Sequence, residues 1–239
     1  DAINAGTTFF VASVNLDGSL RIETADVGGT QDISLSVDGT EKALFLTSDS
    51  RPVEAVLMRY RDGRRSLCLS SQSGCPLTCT FCATGAMKFG RNLNESEILD
   101  QALHFRRIEP VNHTVFMGMG EPMMNLDNVL AVCEKLPEIG IANSHTTIST
   151  VGWLPGIKQV INEGPSVRLA LSLHAPNDDL RSRIMPINER FNIKEIIDAC
   201  RDDHLDTCLD AWLDTCLDTC FVTCFVTHRD TCLDAWLDT

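Results

Sequence analysis

The segment SSQSGCPLTCTFCATG, residues 70–85, places Cys75, Cys79 and Cys82 in a C-x3-C-x2-C pattern. This spacing brings three thiolates to one short loop. A cubane 4Fe–4S cluster that only carries electrons is usually held by four cysteines. Three close cysteines without an obvious fourth therefore indicate a cluster with one iron left open to a cofactor or substrate, which is typical of catalysis.

Zinc and disulfide bonds are the alternative explanations for these cysteines. A zinc site needs a tetrahedral ligand set, and the next histidine after Cys82 is His104, too far away for a zinc-knuckle spacing. A disulfide framework needs an oxidising compartment, but the chain shows no apolar signal segment and its 11 cysteines are an odd number. The triplet alone favours the iron–sulfur cluster.

Further sequence blocks follow the cysteines. They are FGRNL at 89–93, VFMGMGEP at 115–122, ISTVGWLPG at 148–156, LALSLHAP at 169–176 and RIMPIN at 183–188. Together with the cysteine segment, these blocks resemble the radical S-adenosylmethionine (SAM) superfamily and, within it, the RlmN/Cfr family, nearer to RlmN than to Cfr. The resemblance runs over residues 38–200. It implies an enzyme that methylates C2 of adenine in 23S rRNA and tRNA.

Hydrophobic periodicity predicts an α/β fold. Strands are predicted at 41–47, 53–58, 66–70, 113–117, 146–150 and 167–173, and helices or helical turns at 94–107, 126–136, 155–163, 178–183 and 193–200. Alternating strands and helices favour a parallel sheet with right-handed crossovers. The resemblance implies a partial (β/α)6 radical SAM barrel, truncated to about four units, with an N-terminal β-hairpin extension and a low-complexity C-terminal tail.

Composition divides the chain into three segments. Residues 1–37 form a poorly defined leader, 38–200 the incomplete radical SAM core, and 201–239 a tail of low-complexity repeats. In the tail, TCLDAWLDT at 207–215 recurs identically at 231–239. We expect this tail to stand in place of the family's last strands, and the chain to be a fragment at both ends.

The charge distribution bears on nucleic-acid binding. A net charge of −13 argues against a general nucleic-acid binder. The acidity belongs to the two ends, however, and arginines flank the cysteine triplet. They indicate either a local basic face around the cluster or a solvated, salt-bridged surface. No apolar run approaches the length of a membrane span.

The resemblance assigns a SAM site. Gly120 allows close backbone approach, and the Glu121 carboxylate can accept hydrogen bonds from the ammonium group of SAM. The other positions that match SAM contacts in the family are Ser149, Ser172, Leu173 and His174. Without the resemblance, Ser172 and His174 would more simply satisfy backbone groups at strand ends. The implied cofactors are a 4Fe–4S cluster and SAM.

The resemblance also assigns two catalytic residues, Glu54 as the proton acceptor and Cys68 as the resolving cysteine. In the family, one SAM methylates a cysteine near the C-terminus, a 5′-deoxyadenosyl radical from a second SAM activates that methyl group, and thiol exchange releases the RNA with a disulfide. Alone, Glu54 is an ordinary surface strand residue and Cys68 a small buried apolar one. The methyl-carrying cysteine is not identifiable, because no tail cysteine has the Ala-Cys-Gly-like context. We therefore expect this chain to be inactive as it stands.

The implied partners are RNA and an electron donor such as a flavodoxin or ferredoxin, with a cytoplasmic location and no membrane. Three alternatives stay open. They are Cfr-like C8 methylation of rRNA adenine, a radical SAM enzyme with another substrate, and a non-catalytic truncated remnant.

Overall fold

A computed structural model describes residues 40–200 throughout and, as backbone, Arg201 and four further strands in the N-terminal leader and the C-terminal tail. The strands are β1 (Phe9–Val14), β2 (Leu20–Ala25), β3 (Ile33–Val37), β4 (Thr40–Leu46), β5 (Pro52–Arg59), β6 (Arg65–Cys68), β7 (Gln72–Ser73), β8 (Arg91–Asn92), β9 (His113–Phe116), β10 (Thr146–Thr150), β11 (Arg168–Ser172) and β12 (Thr223–Thr227). The helices are α1 (Ala83–Ala86), α2 (Glu95–Ile108), α3 (Leu126–Lys135), α4 (Leu154–Glu163), α5 (Asp178–Ile184) and α6 (Ile193–Arg201). Four 3-10 helices lie at Pro122–Asn125, Leu136–Ile139, Asn143–His145 and Pro186–Glu189.

One eight-stranded sheet organises the described residues, in the order β12-β11-β10-β9-β6-β5-β4-β3. Strands β6, β9, β10 and β11 are parallel to one another, whereas β3, β4 and β5 on one side and β12 on the other join antiparallel. The strands and helices predicted between 41 and 200 are confirmed. A mixed α/β fold with a central parallel sheet is also confirmed, and it is consistent with a partial barrel carrying an antiparallel N-terminal extension.

The tail contributes one element that composition did not indicate. Strand β12 lies within 201–239 and pairs antiparallel with β11, with Leu171 opposite Cys224. The rest of the repeats lies outside the described residues. The division into three segments therefore stays a prediction.

The core lies where the helices cover the parallel strands. Ile98 and Phe105 of α2, Val129 of α3 and Ile148 of β10 are all 0% exposed, and they belong to one apolar cluster. Helix α2 begins at a capping box, in which the Asn94 side chain accepts from the Glu97 backbone and the Glu97 carboxylate accepts from the Asn94 backbone.

The parallel strands place the candidate residues at one edge of the sheet. The cysteine loop follows β6, the segment with Gly120 and Glu121 follows β9, and His174 follows β11. Carboxyl ends of parallel strands share an edge, which is where α/β folds usually bind ligands. The site therefore extends across several strand ends.

Candidate cofactor-binding site

The three cysteines lie on a tight loop that ends in α1. The backbone N–H of Cys82 donates to the Cys79 carbonyl at 3.1 Å, and the Cys82 sulfur accepts from the Gly85 N–H at 3.4 Å, as the N-cap of α1. Thr78 has a φ of 43°, in the left-handed region. Cys79 is buried, Cys75 and Cys82 are half-buried, and all three are free thiols. The loop thus gathers three unpaired sulfurs.

The pKa values of two of these thiols, Cys75 and Cys79, reflect their burial and the nearness of other acidic groups. Burial, with smaller contributions from nearby Glu121, Cys79 and Cys82, raises the pKa of Cys75 to about 11. Burial also raises the pKa of Cys79. A cationic centre would be needed to hold Cys75 and Cys79 as thiolates at neutral pH.

Thiolates are the usual ligands of iron–sulfur clusters, so the chemistry of this donor set fits such a cluster. Among the described residues, no group of three or more His, Cys, Asp and Glu side chains converges on one metal position. A single zinc ion would require such convergence.

The cysteine loop is attached to the segment after α5. The Thr80 N–H donates to the Ile184 carbonyl at 2.9 Å. Cys79 packs in a small apolar cluster with Met185, which is fully buried, and Ile187. These contacts connect the loop after β6 to residues more than a hundred positions later in the chain.

The segment after β9 requires glycine. The Gly118 N–H donates to the Leu69 carbonyl at 3.0 Å, which brings the segment against the strand leading to the cysteines. Gly120 has a φ of +99°, and a Cβ there would lie 2.5 Å from the Cβ of Gln72. The Gln72 amide oxygen accepts from the Glu121 N–H at 2.9 Å. Gln72 therefore packs on the glycine and fixes the next residue.

Glu121 is a buried carboxylate close enough to the cysteine loop to contribute to the raised pKa values of Cys75 and Cys79. It is 3% exposed, and its two oxygens accept from the Met123 N–H at 3.2 Å and the Val151 N–H at 3.1 Å. Burial raises the pKa of Glu121 to about 7, although these hydrogen bonds oppose the shift. A bound ammonium group would stabilise the charged form.

The remaining candidate residues lie at the carboxyl ends of β10 and β11, at the same edge of the sheet. Ser149 Oγ and Ser172 Oγ lie 3.2 Å apart, within hydrogen-bond distance. Leu173 is buried, and His174 adopts a left-handed φ of 59°. The His174 ring packs on Phe81 of the cysteine loop with 4.6 Å between centroids. The structure thereby brings the β11 end to the cysteines, and Phe81, which the sequence analysis missed, makes the connection.

Glu54 and Cys68 lie on neighbouring antiparallel strands. Cys68 pairs with Val56, so Cys68, Val56 and Glu54 share one face of the sheet. The Glu54 carboxylate forms an ion pair with Lys42 Nζ at 2.6 Å, with both side chains about half exposed. Burial raises the pKa of Cys68 to about 11, so its thiol is protonated at neutral pH. Cys68 is a free thiol.

Comparison with known proteins identifies the class to which this fold and site belong. Residues 69–213, more than half of the chain, match the radical SAM superfamily, and the chain belongs to that superfamily. The superfamily implies a 4Fe–4S cluster and SAM as cofactors.

Similarity to individual proteins is more specific. The chain is 42% identical over 187 residues to the dual-specificity RNA methyltransferase RlmN of Pelobacter propionicus, covering 77% of this chain and 51% of the relative. It is 48% identical over 180 residues to the probable RlmN of Thermus thermophilus, covering 72% and 50%. A solved radical SAM methyltransferase from Sphaerobacter thermophilus is 40% identical with a TM-score of 0.69, over 72% of this chain and 53% of that one.

The chain spans about half the length of the curated relatives it matches. Among the residues that the structure describes, no helix has the length and apolar character needed to cross a membrane.

Proposed function

We propose that this chain carries the cofactor-binding part of a radical SAM methyltransferase that modifies C2 of adenine in RNA. The observation that carries the proposal is the meeting of three free thiols with a buried carboxylate, Glu121, at the carboxyl edge of a parallel sheet. The named RNA methyltransferases among its relatives support the reaction type. When bound, the cluster and SAM supply the radical chemistry that an unreactive aromatic carbon requires.

Each candidate residue has a part that its surroundings support. Cys75, Cys79 and Cys82 would hold the cluster. Glu121 would accept the ammonium group of SAM, because its carboxylate is buried and has no cationic partner among the described residues. The remaining SAM contacts would come from Gly120, Ser149, Ser172, Leu173 and His174.

Glu54 and Cys68 would act on the RNA side. Glu54 would accept the C2 proton, and the Lys42 ammonium keeps a positive charge beside that carboxylate. Cys68 would attack the sulfur that links enzyme and product, which releases methylated RNA and leaves a disulfide. The partners are then 23S rRNA or tRNA and a flavodoxin or ferredoxin as the electron donor, in the cytoplasm.

Cluster binding is the first test. Anaerobic reconstitution with iron and sulfide should give one oxygen-sensitive 4Fe–4S cluster per chain, and replacing Cys75, Cys79 and Cys82 together by Ala should abolish it. A matched control replaces Cys133 and Cys200, buried cysteines on α3 and α6, and should retain the cluster. Full iron and sulfide content in the triple variant would refute the ligand assignment.

RNA methylation is the second test, read by mass spectrometry of digested 23S rRNA fragments and tRNA. We expect the chain as it stands to form little 2-methyladenosine, because no tail cysteine has the context of the methyl carrier. Replacing 201–239 by the C-terminal segment of a relative should restore methylation that depends on Cys68 and Glu54. In the chain with the restored C-terminal segment, formation of 8-methyladenosine, or SAM cleavage without methylated RNA, would contradict the proposed reaction.

A further inference from the structure

Arg181 is the largest fully buried side chain of the described residues. It lies in α5, at 0% exposure, and its guanidinium reaches back to two strand ends. Nε donates to the Leu173 carbonyl at 3.0 Å, Nη1 to the Asn188 side-chain oxygen at 2.7 Å, and Nη2 to the Val151 carbonyl. Every one of these acceptors is neutral.

The positive charge of Arg181 lacks a direct counterion. Within the described part of the chain, no carboxylate lies within ion-pair distance of its guanidinium. Asp178 is near enough to raise the pKa of Arg181, but its Oδ1 accepts instead from the Asn188 side chain and the Ile193 N–H. Burying an unpaired charge is strongly unfavourable. An anion near this position would remove much of that cost.

The cysteine loop is where such an anion would lie. Arg181 Nη2 donates to the Val151 carbonyl, and the Val151 side chain packs against the apolar cluster that contains Cys79, so the guanidinium lies close to the cysteine loop. Cys79 also packs on Met185 and Ile187, in the segment that follows Arg181 in the chain. Burial lowers the pKa of Arg181 to about 10, so the group stays cationic at neutral pH.

We propose that Arg181 is a positioning residue for the cluster, whose buried charge balances the thiolate-bound cluster and favours its reduced state. The inference rests on the proposed function. A bound cluster would accept one electron from an external donor with no bond broken, and its charge would become more negative by one unit. A fixed positive charge in a region of low dielectric stabilises that added charge, and it thereby raises the reduction potential.

The test is an EPR-monitored redox titration of the reconstituted protein without SAM. Arg181→Gln should lower the midpoint potential by at least about 59 mV, a tenfold change in a one-electron equilibrium. Arg181→Lys keeps the charge and loses the planar fork, so it should stay near the potential of the unaltered protein. Arg106→Gln is the control, because Arg106 is an exposed arginine that also donates to a backbone carbonyl, that of Ile139.

The outcomes distinguish an effect of the Arg181 charge on the cluster from a purely structural role of its side chain. A normal cluster of unchanged potential in Arg181→Gln overturns the inference and leaves the proposed function intact. If Arg181→Gln fails to fold, Arg181→Lys decides. A folded lysine variant with a cluster of near-normal potential supports the charge, and a lysine variant that loses fold or cluster as completely as the glutamine variant shows a purely structural role. Absence of a cluster in the unaltered protein contradicts the proposed function, and the inference with it.

Discussion

Replacing Gln101 by Met should destabilise the protein by disconnecting α2 from the strand that leads to the cysteines. Gln101 is 1% exposed, and its amide bonds both backbone groups of Ser70, with Oε1 accepting from the N–H at 2.9 Å and Nε2 donating to the carbonyl at 3.0 Å. Ser70 in turn accepts from the Met119 N–H through its hydroxyl at 2.7 Å. One amide therefore supports two of the segments that form the site.

The size of the loss in unfolding free energy follows from the Ser70 N–H and carbonyl groups, which would lose their hydrogen-bond partner. Methionine matches glutamine in length and helix propensity, so the change mainly removes hydrogen bonds. A buried backbone group without a partner costs about 1–3 kcal/mol, and Ser70 would have two. Burial of the more apolar methionine offsets part of this loss, so we expect a net decrease in the free energy of unfolding of about 2–4 kcal/mol.

Urea denaturation followed by circular dichroism measures this change. Gln159→Met in α4 is the matched control, because the Gln159 amide has only a 3.4 Å contact with Asp127 on the surface. The control should stay within about 0.5 kcal/mol. A loss below about 1 kcal/mol in Gln101→Met, with an unchanged denaturant slope, would show that the Ser70 backbone groups find other partners and would refute the reasoning.

Three further predictions concern other positions. Gly120→Ala should lower the free energy of unfolding by more than about 2 kcal/mol in the same assay, because it combines a left-handed φ with a Cβ that overlaps Gln72. Asn94→Ala should cost about 1 kcal/mol by removing the cap of α2, and a loss restored by Asn94→Asp would confirm the capping role. Burial and the stacked His145 lower the pKa of His113 from 6.5 to about 4. The stability gained by burying neutral His113 is therefore complete above pH 6.5 and is lost as the pH falls toward 4. The melting temperature of His113→Phe should consequently fall less than that of the unaltered protein over the same pH interval.

Local patterns were sufficient to predict the secondary structure of the core. The helix predicted at 94–107 is found at Glu95–Ile108. Its start is marked by the Asn94 and Glu97 side chains, which are only three residues apart in the sequence. Parallel strands carry short apolar runs, and the turn at Gly63 separates β5 from β6. Such signals depend on neighbours within a few residues, which one sequence displays directly.

The buried polar side chains that hold the loops of the site together could not be predicted from such local patterns. The stretch DDLRSRI at Asp178–Ile184 has the composition of a solvated helix, yet Arg181 is fully buried. Its partner Val151 lies 30 residues earlier in the chain, and Gln101 lies 31 residues from Ser70. Pairs this far apart depend on how strands and helices pack, and periodicity carries no information about them.

The need to pair backbone groups in the loops of the site explains the location of most buried polar side chains. Most of the buried polar residues flank the strand ends at the site, namely Ser70, Ser71, Gln72, Ser73, Gln101, Glu121, Asn125, Ser149, Thr150, Arg181 and Asn188. Backbone groups in the loops beyond a strand have no ladder partner, and burying them unpaired would be costly. Side-chain amides, hydroxyls, the Glu121 carboxylate and one guanidinium pair with many of them instead, whereas the buried Ser71 hydroxyl makes no hydrogen bond to the described residues. The site is therefore held by bonds between separate loops, and a change in any one support should displace residues that a cluster and SAM would contact.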